Sequence, residues 1–188
     1  MTLKGTVFDF DWRKNLFISL LGKYQPENAS NVLSAIDILK ARGFNICENS
    51  IVRGFASTKW IGRFEILNEN PLIIFDGAHN PQGISASVES ILSYFTEKVY
   101  VLTGVLKDKD YNFIARELSK IAEKAFTITP ENPRALTAPE YAEILEKEGV
   151  TSTPFETVKE AYEKAKSEAQ KNNKPLIILG SLYTYASL

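Results

Sequence analysis

Pro71-Leu-Ile-Ile-Phe-Asp-Gly-Ala-His-Asn-Pro81 is the stretch that decides the fold. Leu72 to Phe75 is an unbroken apolar run, which reads as a strand buried on both faces because no polar residue alternates within it. Asp76 ends the strand. Gly77 permits a sharp backbone turn, Asn80 suits a helix N-cap, and Pro81 suits the first helical position. An Asp, the chain's only His and an Asn thus fall within one short strand-to-helix loop. In open α/β sheets such loops lie at the carboxyl edge of the strands, where ligands bind. Capping explains Asn80 and Pro81 but leaves Asp76 and His79 unexplained, so the loop reads as functional.

Outward from this loop the pattern alternates. Val99 to Val105 reads as a strand, and Tyr111 to Ala122 as a helix with Phe113, Ile114, Leu118 and Ile121 on one face. Ala125 to Thr129 reads as a short strand. Thr137-Ala-Pro-Glu140 has the form of a capping box and opens a helix that carries Tyr141, Ile144 and Leu145 inward and stops at Gly149. A second box, Thr157-Val-Lys-Glu160, opens a helix to about Lys171, and Leu176 to Leu179 is the last strand. Strands separated by helices of this length predict a Rossmann-like, mostly parallel sheet with helices on both faces.

Residues 1–70 do not follow that alternation. Thr6 to Phe10 and Leu16 to Leu21 read as strands around a polar turn at Asp11 to Asn15. Asn28 to Arg42 reads as an amphipathic helix using Val32, Leu33, Ile36 and Leu39, and Ser50 as the cap of a short helix through Phe55. These elements read as the end of another domain, with apolar surface from Phe17, Ile18, Leu20 and Leu21 left uncovered. The expected division is 1–60, a linker at 61–70, and an α/β domain at 71–188, with Asn68 to Pro71 turning into the main sheet.

Composition narrows the function. The 188 residues carry a formal net charge of −1, which gives no electrostatic reason to expect nucleic acid or an acidic membrane. Lone Cys47 excludes an intrachain disulfide, and one Cys with one His does not build a zinc site. Asp9, Asp11, Arg13 and Lys14 interrupt the N-terminal region, unlike a signal peptide, and no apolar run is long enough to span a bilayer. A soluble, cytoplasmic protein is expected, with no metal ligands of its own.

Four further runs stand out, each with a plain structural explanation. In Gly22-Lys-Tyr-Gln-Pro-Glu-Asn-Ala29, Asn28 reads as a helix cap; in Lys59-Trp-Ile-Gly-Arg-Phe-Glu65, Arg63 reads as a solvated linker residue. In Val105-Leu-Lys-Asp-Lys-Asp-Tyr111, Asp108 reads first as an N-cap beside Lys107, and Leu179-Gly-Ser-Leu-Tyr183 reads as an ordinary turn carrying Ser181. Their placement adds weight. Asp76 to Asn80, Lys107 to Asp110 and Gly180-Ser181 all follow predicted parallel strands and so would line one edge of the sheet. Neither a Gly-x-x-x-x-Gly-Lys-Ser/Thr loop nor a Gly-x-Gly-x-x-Gly loop is present, and His79 has no companion nucleophile for a hydrolase triad.

Taken in order, these runs resemble the C-terminal part of a folylpolyglutamate synthase/dihydrofolate synthase, a branch of the Mur-ligase superfamily of ATP-dependent amide ligases. The resemblance covers essentially the whole chain. It rests on Gln25-Pro-Glu-Asn-Ala29, Gly62-Arg-Phe-Glu65, Asp76-Gly-Ala-His-Asn-Pro81, Gly104-Val-Leu-Lys-Asp-Lys-Asp110, Asn132-Pro-Arg-Ala-Leu136 and Gly180-Ser-Leu-Tyr183. The Asp-x-Ala-His-Asn-Pro element is shared across the superfamily. Gly77, Lys-Asp-Lys-Asp and Gly-Ser-Leu-Tyr favour the folyl branch, since peptidoglycan ligases commonly carry Tyr at the position of Gly77.

The resemblance implies a Mur-ligase C-terminal domain preceded by the tail of an ATPase domain. It also implies a reaction in which ATP phosphorylates a carboxylate of folate or dihydropteroate and the amine of L-glutamate attacks the acyl phosphate. In that family the phosphate loop, the Mg²⁺ ligands and most of the folate site belong to an N-terminal P-loop domain. None of these is recognisable here, so the chain is expected to be inactive alone. By position, Asn28 corresponds to an adenine-side contact, Arg63 to a residue reaching the ATP phosphates, and Asp76 to an acidic nucleotide contact. His79 and Ser181 correspond to the glutamate site, with Asn80, Lys107 and Asp108 in support.

Tyr24 stands where relatives commonly carry His, Ile61 where they carry Pro, and Leu179 where they carry Thr. Two other readings compete: a ligase acting on a cell-wall precursor, and an α/β ligand-binding module without catalysis.

Overall fold

The computed structural model describes residues 1–181 together with Thr184 and Tyr185. Two compact units divide at Ile61 and Gly62. In the first, β1 (Thr6–Phe10) and β2 (Arg13–Ile18) form an antiparallel pair, followed by α1 (Gln25–Ala41) and α2 (Glu48–Ser57). Its core is Leu16, Ile18, Ala29, Leu33, Ile51 and Phe55.

The expectation that Phe17, Ile18, Leu20 and Leu21 lie uncovered is corrected. Ile18 and Leu21 are buried, and Phe17 and Leu20 are half-buried. Strand alternation turns Leu16 and Ile18 of β2 onto the helices. The exposed apolar groups are elsewhere. Val32, Ala35, Ile38 and Leu39 form a second stripe along α1, opposite buried Ala29 and Leu33. Asn28 is not a cap: α1 begins at Gln25, and Asn28 sits exposed in its first turn, donating to Gln25 Oε1 at 3.2 Å. Ser50 likewise lies inside α2, whose N-cap is Cys47.

The second unit holds β3 (Glu65–Glu69), β4 (Leu72–Asp76), α3 (Pro81–Tyr94), β5 (Val99–Thr103), α4 (Tyr111–Ser119), β6 (Ala122–Thr127), α5 (Ala138–Lys147), β7 (Thr151–Pro154), α6 (Val158–Asn172) and β8 (Leu176–Leu179). The sheet order is β3-β4-β8-β5-β6-β7, parallel throughout except for β3, which runs antiparallel to β4. Half of the stretch expected as a linker, 61–70, is therefore a strand. Pro71 follows a cis peptide at Asn70, and β3 pairs back from Glu69↔Leu72 to Glu65↔Phe75.

Alternation in the parallel strands divides the core. Ile73, Phe75, Tyr100, Leu102, Phe126, Leu176 and Ile178 pack on one face against α6, through Ala161, Ala165 and Ala169 at four-residue spacing. The paired residues Ile74, Val101, Ala125 and Ile177 turn to the other face, and α3, α4 and α5 pack there through Ile84, Val88, Ile114, Leu118, Tyr141 and Leu145. Both faces are thus covered, as the run Leu72–Phe75 predicts.

Some boundaries differ from expectation. The helix through Tyr111 ends at Ser119, because Ile121 and Ala122 already engage Val99 of β5. β7 carries no apolar residue and pairs only with β6, so no hydrophobic pattern marks it. The capping box at Thr137 and Glu140 is complete, and Thr157 Oγ1 accepts the Glu160 amide at 3.2 Å. Among the described residues, no helix is long and apolar enough to cross a membrane.

A buried guanidinium anchors the first unit. Arg13 is 4% exposed and donates from Nη1 and Nη2 to Asp37 at 2.9 and 2.6 Å and from Nε to Glu48 at 2.8 Å. Lys40 adds a 2.7 Å contact to Glu48. Hydrogen bonds from Arg13, then Lys40, pull the Glu48 carboxyl down to about 2. A depressed carboxyl stabilises the fold above its ordinary range, and that contribution is lost as pH falls toward 2. Both tryptophans, Trp12 and Trp60, lie in this unit, so their fluorescence reports on it. Glu48→Gln should weaken Met1–Ile61 at neutral pH and flatten its loss of stability between about pH 4.5 and 2. Acid titration of Trp fluorescence in denaturant checks this; an unchanged acid slope contradicts it.

Candidate functional site

The parallel strands end together. Register pairs Asp76 with Leu179, Leu179 with Thr103 and Thr103 with Thr127, so the last residues of β4, β8, β5 and β6 form one row. Asp76, Thr103 and Thr127 are all buried polar residues. Thr127 Oγ1 donates to the Ala138 carbonyl at 2.8 Å and so holds the start of α5. The site begins where this row meets the loops.

Asp76 Oδ1 accepts the Ala78 amide at 2.8 Å, closing the turn that Gly77 permits. His79 Nδ1 lies 2.9 Å from the Gly77 carbonyl. A carbonyl only accepts, so Nδ1 carries the proton and Nε2 of the neutral ring presents a lone pair. Asn80 Oδ1 accepts the Gly83 amide at 2.8 Å, so its side chain caps α3, and Pro81 follows at the helix start as expected.

A second turn is fastened to this loop. The Gly77 amide donates to the Gly62 carbonyl at 2.9 Å, and the Gly62 amide donates to Glu65 Oε2 at 2.7 Å. Gly62 has φ 72°, and Phe64 has φ 46° with its ring fully buried against Tyr94. Arg63 between them is therefore half-buried and set by its neighbours, not a freely solvated linker residue. Its positive charge acts on Asp76. Even so, burial dominates and raises the Asp76 carboxyl above its ordinary value, against the lowering effects of the Ala78 amide, Ser87 and Arg63.

The neighbouring loops follow the strand order. Gly180 has φ 117°, and a Cβ there would meet both the Gly104 carbonyl oxygen and Thr103 Oγ1 at 2.9 Å. The turn after β8 thus presses on the turn after β5, with Ser181 buried beside it. The Leu182 and Tyr183 half of the Gly-Ser-Leu-Tyr element lies outside the described residues. After β5, Asp108 is not a cap. Asp110 is, accepting the Phe113 amide at 3.0 Å. Asp108 Oδ2 instead accepts Arg134 Nη1 at 2.8 Å, and the Lys107 amide donates to the Arg134 carbonyl at 2.7 Å.

The structure therefore brings Arg63, Asp76, His79 and Asn80 together on two fastened turns. Strand pairing sets Ser181 beside them, and Lys107 and Asp108 lie two strands along. Asn28 belongs to the other unit. Sequence reasoning passed over Ser87, Thr103 and Arg134; Arg134 lay inside the quoted Asn132–Leu136 run without a role. Among the described residues, no group of three or more His, Cys, Asp or Glu side chains is placed to hold a metal ion.

Residues 62–182 match the family described as Mur ligase, glutamate ligase domain. The chain is 29% identical to the folylpolyglutamate synthase of Lacticaseibacillus casei over 95% of its length, and 31% identical to the dihydrofolate synthase/folylpolyglutamate synthase of Escherichia coli over 96%. The chain belongs to the Mur ligase family through its glutamate ligase domain, and the relatives it is similar to are folylpolyglutamate and dihydrofolate synthases. A solved structure of E. coli FolC in complex with DHPP and ADP aligns with a TM-score of 0.77 at 28% identity, covering 96% of this chain and 43% of that one. The chain spans 41% and 42% of the lengths of the two curated relatives. Its six-stranded, mostly parallel sheet is the Mur ligase C-terminal fold.

In this Mur ligase domain the buried Asp76 carboxylate is a cost to the fold. A carboxyl whose proton affinity is raised by folding destabilises the fold while ionised, and the penalty fades as pH falls and the folded form takes up its proton. Asp76→Asn should therefore raise the calorimetric unfolding midpoint of the second unit at pH 7, with the gain shrinking toward pH 4. A lowered midpoint at pH 7 contradicts this account.

Proposed function

We propose that this chain is the C-terminal portion of an ATP-dependent ligase that adds L-glutamate to folate or dihydropteroate. In this reading Met1–Ile61 is the tail of the ATP-binding domain, and the second unit is the glutamate-binding domain. The observation that carries the reading is the 2.9 Å bond from Gly77 to Gly62, which fastens Arg63 to the loop bearing Asp76 and His79.

ATP gives its γ-phosphoryl group to a substrate carboxylate, forming an acyl phosphate and ADP. The glutamate amine, having lost a proton, attacks the acyl carbon; the C–N bond forms and phosphate leaves. Such chemistry depends on charge stabilisation and positioning more than on covalent help from the protein. Arg63 supplies a guanidinium to charge spreading over the transferred group. Asn28 serves as the adenine-side contact and Asp76 as the nucleotide contact. His79 and Ser181 hold the incoming glutamate: the Ser181 hydroxyl donates to a carboxylate, and the outer nitrogen of His79, as an acceptor, takes a hydrogen bond from the amine end. Asn80, Lys107 and Asp108 support these loops: Asn80 as the cap of α3, Lys107 and Asp108 through their ties to Arg134. In this reading the Mg²⁺ ligands belong to the P-loop domain, and no step here is routed through the metal.

The 188-residue chain alone, having no phosphate loop, should show no ATP-dependent ligation of glutamate; measurable turnover would refute this division of labour. With the P-loop domain present, Arg63→Ala should cut turnover by roughly two orders of magnitude, the usual scale for removing one transition-state donor. Near-normal turnover at saturating substrate would show that Arg63 has no such role.

A further inference from the structure

The turn that carries Arg63 is held in an unusual shape. Gly62 has φ 72° and Phe64 has φ 46°, so two left-handed residues flank the one that bears the guanidinium. Glycine tolerates that region, but a phenylalanine stays in it only under constraint from its surroundings. The Phe64 ring, 1% exposed and 5.5 Å from the Tyr94 ring, anchors the far side of the turn. The near side has no side chain to anchor at Gly62 and is held through its peptide groups instead.

Both polar groups of Gly62 are taken. Its carbonyl accepts the Gly77 amide at 2.9 Å, and its amide donates to Glu65 Oε2 at 2.7 Å. Glu65 is itself fixed, as the first residue of β3, paired in register with Phe75 of β4. The Tyr185 ring meets the Phe75 ring edge-on at 4.8 Å. Its hydroxyl faces the Glu65 carboxylate, and burial first, then that negative charge, raises the Tyr185 proton affinity. A chain of contacts thus runs from Phe75 through Tyr185 and Glu65 to the Gly62 amide. The strand ladder itself uses only backbone groups and needs no carboxylate at this place.

We infer that Glu65 is a positioning residue for the proposed ligase site: its carboxylate, backed by the Tyr185 hydroxyl, holds the Gly62 peptide so that the turn presents Arg63 beside Asp76. The inference rests on the phosphate role proposed for Arg63, but its test reads only where that charge sits. Arg63 acts on Asp76 through its charge, favouring the ionised carboxylate. That action is the gauge. If Glu65 sets the turn, removing its carboxylate uncouples Arg63 from Asp76. If Glu65 merely stabilises β3, the coupling persists in any chain that still folds.

The experiment is a carbon-13 NMR titration of the Asp76 carboxyl in the 188-residue chain, run as a double-mutant cycle. Arg63→Gln alone should raise the proton affinity of Asp76 about threefold, because a favourable positive charge is lost. In a Glu65→Ala background the same change should move it by less than half as much. Glu65→Gln keeps an acceptor for the Gly62 amide and should retain the full effect. An undiminished Arg63 effect in Glu65→Ala would overturn the inference, as would its loss in Glu65→Gln or its absence from the parent chain. Should Glu65→Ala not fold, the parent chain decides. There the Gly62 amide proton should follow the titration of the Glu65 carboxyl, and an amide that ignores it overturns the inference. Ligation is not needed for these readouts, so their failure removes the role of Glu65 only, whereas near-normal turnover of Arg63→Ala removes the proposed function only.

Discussion

Everything in the second unit follows from covering both faces of a parallel sheet. Once α6 closes one side and α3, α4 and α5 the other, no interior strand position is left for a solvated group. Polar chemistry is pushed to the ends of the strands. It collects at the carboxyl end because the loops there lead into helices, whose first turns offer amides to nearby oxygen atoms. Asn80, Asp110, Thr137 and Thr157 all fill that capping role. Asp76 and His79 do not, which is what marks them out.

The same burial explains the electrostatics. Asp76 sits one residue too deep to be hydrated, and its single firm amide contact does not offset the desolvation. A group held at such a cost stands next to a guanidinium on a turn that is bonded to its own loop. The first unit handles charge differently. There Arg13 is buried but engaged by Asp37 and Glu48, so its charge is neutralised locally and left with little to offer a ligand.

How far the sequence could be read depended on whether one residue type had one physical job. Leu72–Phe75 and Leu176–Leu179 were legible as buried strands because apolar runs of that length have few other uses. The Thr137 box was legible because both partners of the cap sit at fixed spacing. β3 was not: Ile66 and Leu67 lie between polar residues, and its pairing depends on a turn at Asn70 and Pro71 rather than on a pattern of its own. β7 was not, because an edge strand with one neighbour has no apolar signature. Asp108 and Asp110 are equivalent by composition, and only the helix start at Tyr111 separates the cap from the ion pair with Arg134. For the site, the motif residues were legible, while Ser87 and Thr103 depend on which helix and strand meet in space.

β3 also bears on how such domains travel between proteins. It lies on the Gly62 side of the division between the units, so the sheet carries its own antiparallel closure beside β4. With Glu65, Asn68 and Glu69 on that rim and the short, polar β7 on the opposite one, neither margin offers a long apolar template to a foreign strand. A module sealed in this way can be joined to different upstream partners by recombination without acquiring a sticky edge. The join that evolution or an engineer should respect is therefore the one before Gly62, not the one before Pro71.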